Sequence, residues 1–257
     1  MIKKTLIVLA AAAALAGCGG KDDGIRKFTV GFDADFPPYG YKEGAEYKGF
    51  DLDLAREVCA RKGWKFVANP INWGTKDMEL NSGAIDCIWN GFTMQGREEG
   101  YTFSEPYLDN SQVVLVRADS PIATFADLAG KIVGVQTDTP VAKALSEGGD
   151  RADLGGTFGA LVIEPNYNQL VNELDMGAVE AVALDVGVAK RKMSDLPDHF
   201  KILDEIVMRE TYGVGFKKGN TALRDEVMVV LREIAADGTM ATLAQVYGIE
   251  PSALLLK

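Results

Sequence analysis

Arg97 stands in Thr93-Met94-Gln95-Gly96-Arg97, just after an apolar run at 85–89. Its guanidinium is a planar fork of donors that suits a carboxylate. The plainer use of such an Arg is a surface pair with Glu98 or Glu99. Thr139-Pro140 places a capping hydroxyl before a proline, which marks a helix N-terminus. The free N–H groups there can hold an anion or serve only their own helix. Asp185 directly follows Val182-Ala183-Leu184, where packing has no use for an acid. It is a partner for a cation or the N-cap of a helix through Val188–Lys190. Asp33 and Asp35 either neutralise a polar or cationic ligand end or serve as turn residues before Pro37-Pro38. Trp73 and Trp89 face a ligand or fill the core; Trp73, between polar residues at a strand end, is the better ligand candidate. A clamp for a carboxylate together with one for an ammonium fits an amino-acid zwitterion.

Other chemistries lack their parts. No nucleophile has a base nearby, and no P-loop or dinucleotide glycine fingerprint occurs, so no catalytic group and no cofactor are expected. The single His, His199, and three Cys give no metal site.

The elements that must carry these residues alternate between strand and helix patterns. Strands are expected at Phe28–Phe32, Trp64–Val67, Ile85–Trp89, Val113–Val116, Lys131–Val135 and Val179–Leu184. Helices are expected at Asp51–Lys62, around Lys76–Leu80, after Pro140, at Leu170–Met176, along the Leu223–Ile234 face and at Met240–Tyr247. The alternation predicts an α/β protein with mostly parallel sheets. Two patterns recur in order. Val30-Gly31-Phe32-Asp33-Ala34-Asp35-Phe36-Pro37 resembles Val133-Gly134-Val135-Gln136-Thr137-Asp138-Thr139-Pro140, and Leu80–Asp86 resembles Leu174–Glu180. Two lobes of like architecture follow. Their strand ends carry Asp33 and Asp35, Asn90-Gly91-Phe92-Thr93, Gln136-Thr137-Asp138-Thr139, and Asp185, where open α/β sheets bind ligands.

The chain has 257 residues, with 27 Lys+Arg against 37 Asp+Glu. Removing Lys3 and Lys4 with a leader leaves 25 basic side chains against 37, which argues against nucleic acid as partner. That leader is residues 1–17: two lysines, then an apolar run from Leu6 to Ala16, too short to span a bilayer. It ends in Leu15-Ala16-Gly17-Cys18, which resembles the bacterial lipobox. That resemblance implies cleavage before Cys18 and lipidation of its thiol, palmitate among the acyl groups. Residues 18–24 would then be a polar tether to a membrane surface. Cys59 and Cys87 read as buried free thiols, with a disulfide left open by an oxidising compartment.

Taken together, "GFDADFPPYGY" at 31–41, "YKGFDLDLAREV" at 47–58, "SGAIDCIWNGFTMQGREEGYTFSEPYLDNSQVVLV" at 82–116, "DLAGKIVGVQTDTP" at 127–140, "MGAVEAVALD" at 176–185 and "LREIAADGTMATLAQVYGIE" at 231–250 resemble extracellular solute-binding proteins, family 3. The resemblance spans nearly the whole mature chain. It implies a bilobal type II periplasmic-binding fold, two α/β lobes joined by two hinge strands, closing over one polar or basic amino acid for an ABC transporter permease. The expected division is 25–115 with 213–257 in lobe one and 118–210 in lobe two, with crossings near Val116–Ala118 and Tyr212–Gly215.

By that resemblance Arg97 holds the ligand carboxylate, with Thr93 beside it, and Asp185 holds the ammonium. Asn90 and Gly91 meet the ligand through backbone, and Trp73 stacks on it. Asp33 and Phe36 line the side-chain pocket, and Thr139 and Pro140 form the polar pair at the second lobe's helix. Three departures stand out: Asp138 and Pro140 replace the usual Gly and hydroxyl or Gly, and the Thr93–Arg97 stretch is one residue short. Pro140 removes one backbone donor. The expected protein is a monomeric, lipid-anchored, extracytoplasmic binding protein of a bacterium, not an enzyme. The enzyme alternative is a cyclohexadienyl dehydratase-like activity on the same fold, with a general acid in place of the ammonium clamp.

Overall fold

A computed structural model of the chain describes residues 24–257. The leader, Cys18 and all of the tether but Gly24 lie outside the described residues. In chain order the elements are β1 (Lys27–Phe32), β2 (Asp35–Phe36), β3 (Gly40–Glu43), β4 (Glu46–Lys48), α1 (Phe50–Lys62), β5 (Lys65–Pro70), α2 (Lys76–Ser82), β6 (Cys87–Ile88), β7 (Tyr101–Phe103) and β8 (Leu108–Arg117). There follow β9 (Ile132–Gln136), α3 (Pro140–Leu145), α4 (Ala152–Gly155), β10 (Ala160–Glu164), α5 (Tyr167–Met176), β11 (Ala181–Asp185), α6 (Val186–Asp195), β12 (Phe200–Tyr212), β13 (Gly215–Lys217), α7 (Thr221–Ala236) and α8 (Thr239–Val246).

The local chemistry explains where helices start and stop. In α1, Asp51 and Asp53 occupy the first turn, Arg61 and Lys62 the last, and Gly63 closes it at φ 65. Leu52, Leu54, Ala55, Val58 and Cys59 form its buried side. Gly83 after α2 and Gly177 after α5 adopt the same left-handed conformation, at φ 80 and 77. Each turns its chain into the next strand, β6 or β11. The repeated Leu-to-Gly-to-strand pattern is therefore a repeated fold unit.

The two five-stranded sheets run β5-β1-β6-β13-β7 and β10-β9-β11-β8-β12, and β2-β3-β4 form a small third one. Each five-stranded sheet has three parallel strands followed by two antiparallel ones. The sheets are thus half antiparallel rather than mostly parallel. The added strands are those that travel between lobes, and a returning strand pairs antiparallel.

The strand expected at Val113–Val116 is the middle of the longer β8, which pairs with β12 from Arg117↔Phe200 to Leu108↔Tyr212 and with β11 over 112–115. β8 therefore lies in the second sheet, and the chain enters that lobe before Leu108 rather than near Val116–Ala118. An apolar run looks the same in either sheet; its hydrogen-bond partner decides. The chain is back in the first sheet by Gly215, and α7 packs on α1 and β7. The strand expected over Ile85–Trp89 shrinks to Cys87–Ile88. Cys59 and Cys87 are buried and unpaired, as free thiols.

Candidate functional site

Between the lobes lies a cavity of about 310 Å³. The ten residues that the resemblance assigns to the ligand all line it: Asp33, Phe36, Trp73, Asn90, Gly91, Thr93, Arg97, Thr139, Pro140 and Asp185; Asp35, the other candidate acid of that turn, does not and instead accepts from Asn168. Gln136, expected only as one of the strand-end residues, lines it as well, and so does Gln112, which was not foreseen as a site residue. Trp89 is core, fully buried near Tyr107.

The lobe-one wall is built from strand ends. Asn90 Oδ1 accepts from the Asp33 amide at 2.9 Å, tying the end of β1 to the turn after β6. The Gly91 amide is taken by Asp51 Oδ2 at 2.5 Å, so Gly91 keeps no free N–H for a ligand. Burial pushes the Asp51 carboxyl up to about 7 against that bond. Arg97 crosses the Phe92 ring at 4.6 Å and donates to Thr93 O at 3.3 Å and to Asp138 O at 2.8 Å. The fork is half-buried, pinned to one wall and reaching the other.

Lobe two supplies the facing wall. The Thr139 hydroxyl accepts from the Ala142 amide at 3.2 Å and donates to Gln136 O at 2.8 Å. It is thus committed to capping α3. Gln136 Nε2 donates to Asp33 Oδ2 at 2.8 Å across the cleft. These two residues hold the same place in the repeated Val-Gly-x-(Asp/Gln) pattern, so aligning the repeats is the signal that points to Gln136. Burial raises the Asp33 carboxyl above its ordinary range, opposed by the Asp35 amide and Gln136.

At the far end Asp185 is buried, held by Asn110 Nδ2 at 2.9 Å and by the Tyr212 hydroxyl. Its side chain does not cap the helix that follows. Burial first, and the Glu210 charge second, push its carboxyl well above the usual range. Glu210 lies behind it, and no spacing in the sequence marks it. Three buried polar atoms on the lining have no protein partner: Trp73 Nε1, Asn90 Nδ2 and Gln112 Oε1. Buried polar groups are normally satisfied, so these are open to a ligand.

Asp138 explains one departure in the sequence. Its φ is 55, the left-handed region where Gly is ordinary. Its carboxylate pairs across the cleft with Lys76, a fully buried ammonium over the Trp73 ring. Asn tolerates this backbone but carries no charge. Asp138→Asn should therefore weaken closure by about 1 kcal/mol, roughly fivefold in ligand affinity, since Asp138 itself is half exposed and screened. Calorimetry at low and high salt checks this. An affinity equal to that of the unmodified protein at both would show that the pair does not help the lobes close.

Residues 28–250 match the family model described as bacterial extracellular solute-binding proteins, family 3. The arginine-binding extracellular protein ArtP of Bacillus subtilis (strain 168) is 28% identical over 253 residues, covering 94% of this chain and 96% of that one. The L-cystine-binding protein TcyJ of Escherichia coli (strain K12) is 26% identical over 257 residues, covering 95% and 94%. Among solved structures, an ancestral arginine-binding protein bound to glutamine superposes with a TM-score of 0.78 at 29% identity, covering 87% of this chain and 98% of that one. The arginine-, lysine-, histidine-binding protein ArtJ of Geobacillus stearothermophilus superposes at 0.78 and 29% identity, covering 88% and 97%.

Proposed function

This chain belongs to the bacterial extracellular solute-binding proteins, family 3, with a type II periplasmic-binding fold, and on that premise we propose that its cleft captures one free polar or basic amino acid outside the cytoplasm and delivers it to an ABC importer permease. The observation that carries this is the placing of Arg97 and Asp185 on one cavity, a fork for a carboxylate and an acid for an ammonium. Asp33 adds a second acid, beside the aromatic faces of Trp73 and Phe36, which suits a polar or cationic side chain. Names of relatives run the same way: arginine, cystine and histidine. A thermal-shift screen of the twenty amino acids plus cystine and ornithine tests the reading. A ligand at 100 times its Kd adds about 2.7 kcal/mol of stability. No shift with any of them would reject it.

The site acts by binding and closure rather than by catalysis. Incubation with prephenate or arogenate should leave both unchanged, and turnover of either would replace this reading with a dehydratase. The protein works as a monomer tethered through lipid on Cys18, which the Leu15-Ala16-Gly17-Cys18 motif supports. Cys18→Ser should move the protein from the membrane fraction to the soluble fraction of the producing bacterium. A native chain that is already soluble, with an unmodified N-terminal mass, would count against the anchor.

A further inference from the structure

Asp185 and Glu210 share a donor. Asp185 ends β11, Glu210 lies in β12, and Asn110 on the intervening β8 donates Nδ2 to both, at 2.9 and 2.6 Å. Gln112 Nε2 donates to Glu210 at 2.7 Å and the Thr93 hydroxyl at 2.9 Å. Both carboxyl groups therefore sit against one amide nitrogen, out of water. Two carboxylates so placed need a proton between them. Asp185 and Glu210 are 4% and 1% exposed, and every donor named here is neutral.

Tyr212 from β12, Tyr39 after β2 and Tyr167 at the head of α5 face the pair, and Asp33 and Asp51 lie beyond them. The charge of Arg97 reaches Glu210, and Lys190 and Arg191 of α6, which packs on β8, β11 and β12, line a groove beside Asn110. The pair, Asn110 and Gln112 all sit on three neighbouring strands of one sheet, so the pair does not depend on the cleft being closed. Gln112 supplies the second pointer to a ligand. It lines the cavity, 1% exposed, and its Oε1 has no protein partner. An acceptor pointed at the same space as Asp185 asks for a donor there.

We propose that Asp185 and Glu210 share one proton in the empty protein, and that the ammonium of an arriving amino acid displaces it, so that ligand capture and proton release are one event. The proposal rests on the amino-acid reading of the cleft. No covalent bond to the ligand forms. The ammonium keeps its three protons, one O–H bond on the carboxyl pair breaks, and that proton passes to buffer. Glu210 does not line the cavity; it is a positioning residue that acts through Asp185.

The sign follows from linkage. The proton is held in the free state and lost in the bound state. Binding therefore tightens with rising pH, by up to tenfold per unit, from the ordinary carboxylate range upward until the free pair has itself ionised. Above that point the dependence vanishes.

Two measurements test this. Infrared spectra of the ligand-free protein should show a protonated carboxyl band that is missing from Glu210→Gln. Taking the difference between the two proteins removes the contribution of Asp51. This readout needs no ligand, so it stands even if no amino acid binds. Calorimetry at pH 7 in buffers of different ionisation enthalpy, with whichever of L-arginine, L-lysine, L-histidine, L-glutamine and L-cystine binds, should give a release near one proton for the unmodified protein. Glu210→Gln should bind the same ligand with no release. Identical infrared spectra would overturn the proposal, as would binding without proton exchange between pH 5 and 8. Equal release from Glu210→Gln would overturn it too, by showing that the proton is held without Glu210, on Asp185 through burial alone or on another group. If Glu210→Gln fails to fold, binding to the unmodified protein without proton release still overturns the proposal. Failure of every ligand in the thermal-shift screen, with the infrared band present, would strike the amino-acid reading and the displacement step but leave the shared proton.

Discussion

Arg97→Ala is expected to remove nearly all amino-acid affinity while the empty protein still folds. Arg97 donates to two backbone carbonyls, Thr93 O and Asp138 O, which remain reachable by water when it is gone. The core of lobe one lies elsewhere, around β1, α1 and α7. A ligand carboxylate, by contrast, would be enclosed with no cation to meet it. Truncating one partner of such a pair costs about 2–5 kcal/mol, roughly thirtyfold to several thousandfold in Kd. Arg97→Lys should recover part of this, since it restores the charge but not the fork. Calorimetric titration of both variants measures the effect. Near-normal affinity in Arg97→Ala would remove the carboxylate clamp from the site.

Asp185→Asn is expected to separate the ends of the ligand. The change keeps the shape and one acceptor oxygen but replaces the other oxygen with a donor and removes the charge. Affinity for the free amino acid should fall by about 2–5 kcal/mol, because the ammonium loses its compensating carboxylate. Affinity for the analogue lacking the α-amino group should fall by less than about 1 kcal/mol. Measuring two ligands against two proteins gives the comparison, and equal losses would count against an ammonium at Asp185. A general acid behaves differently: its Asn variant still binds substrate but no longer turns it over.

Much of this site was legible because it is made of strand ends. Asp33, Asn90 and Asp185 each follow an apolar run closely, and the repeated Val-Gly pattern marks the equivalent place in each lobe. What escaped notice lies inside strands. Gln112 and Glu210 sit in β8 and β12, and their meaning comes from strands beside them rather than from neighbours in sequence. β12 itself went unseen. Its sequence, Phe-Lys-Ile-Leu-Asp-Glu-Ile-Val-Met-Arg-Glu-Thr-Tyr, mixes charges into an edge strand whose register shifts between Ile202 and Met208. Such a strand shows no clean alternation. The small β2-β3-β4 sheet is built of strands of two to four residues, too short for any period to show.

The pairing of β8 with β12 reaches further than its place in the sheet. Between Leu108–Gln112 and Met208–Tyr212 the strands stay hydrogen-bonded, residue opposite residue, up to the point where both leave for the other lobe. Two separate strings would let the lobes twist, slide and splay independently. A bonded ribbon flexes across its face but resists shear along its length. Opening is therefore confined mainly to one swing, like a door on a leaf hinge. Such a swing should bring the same atoms back together, Gln136 to Asp33 and Asp138 to Lys76, the contacts that join the walls here. Alignment of the two walls is thus a standing property of the chain. The ligand only has to hold the door shut.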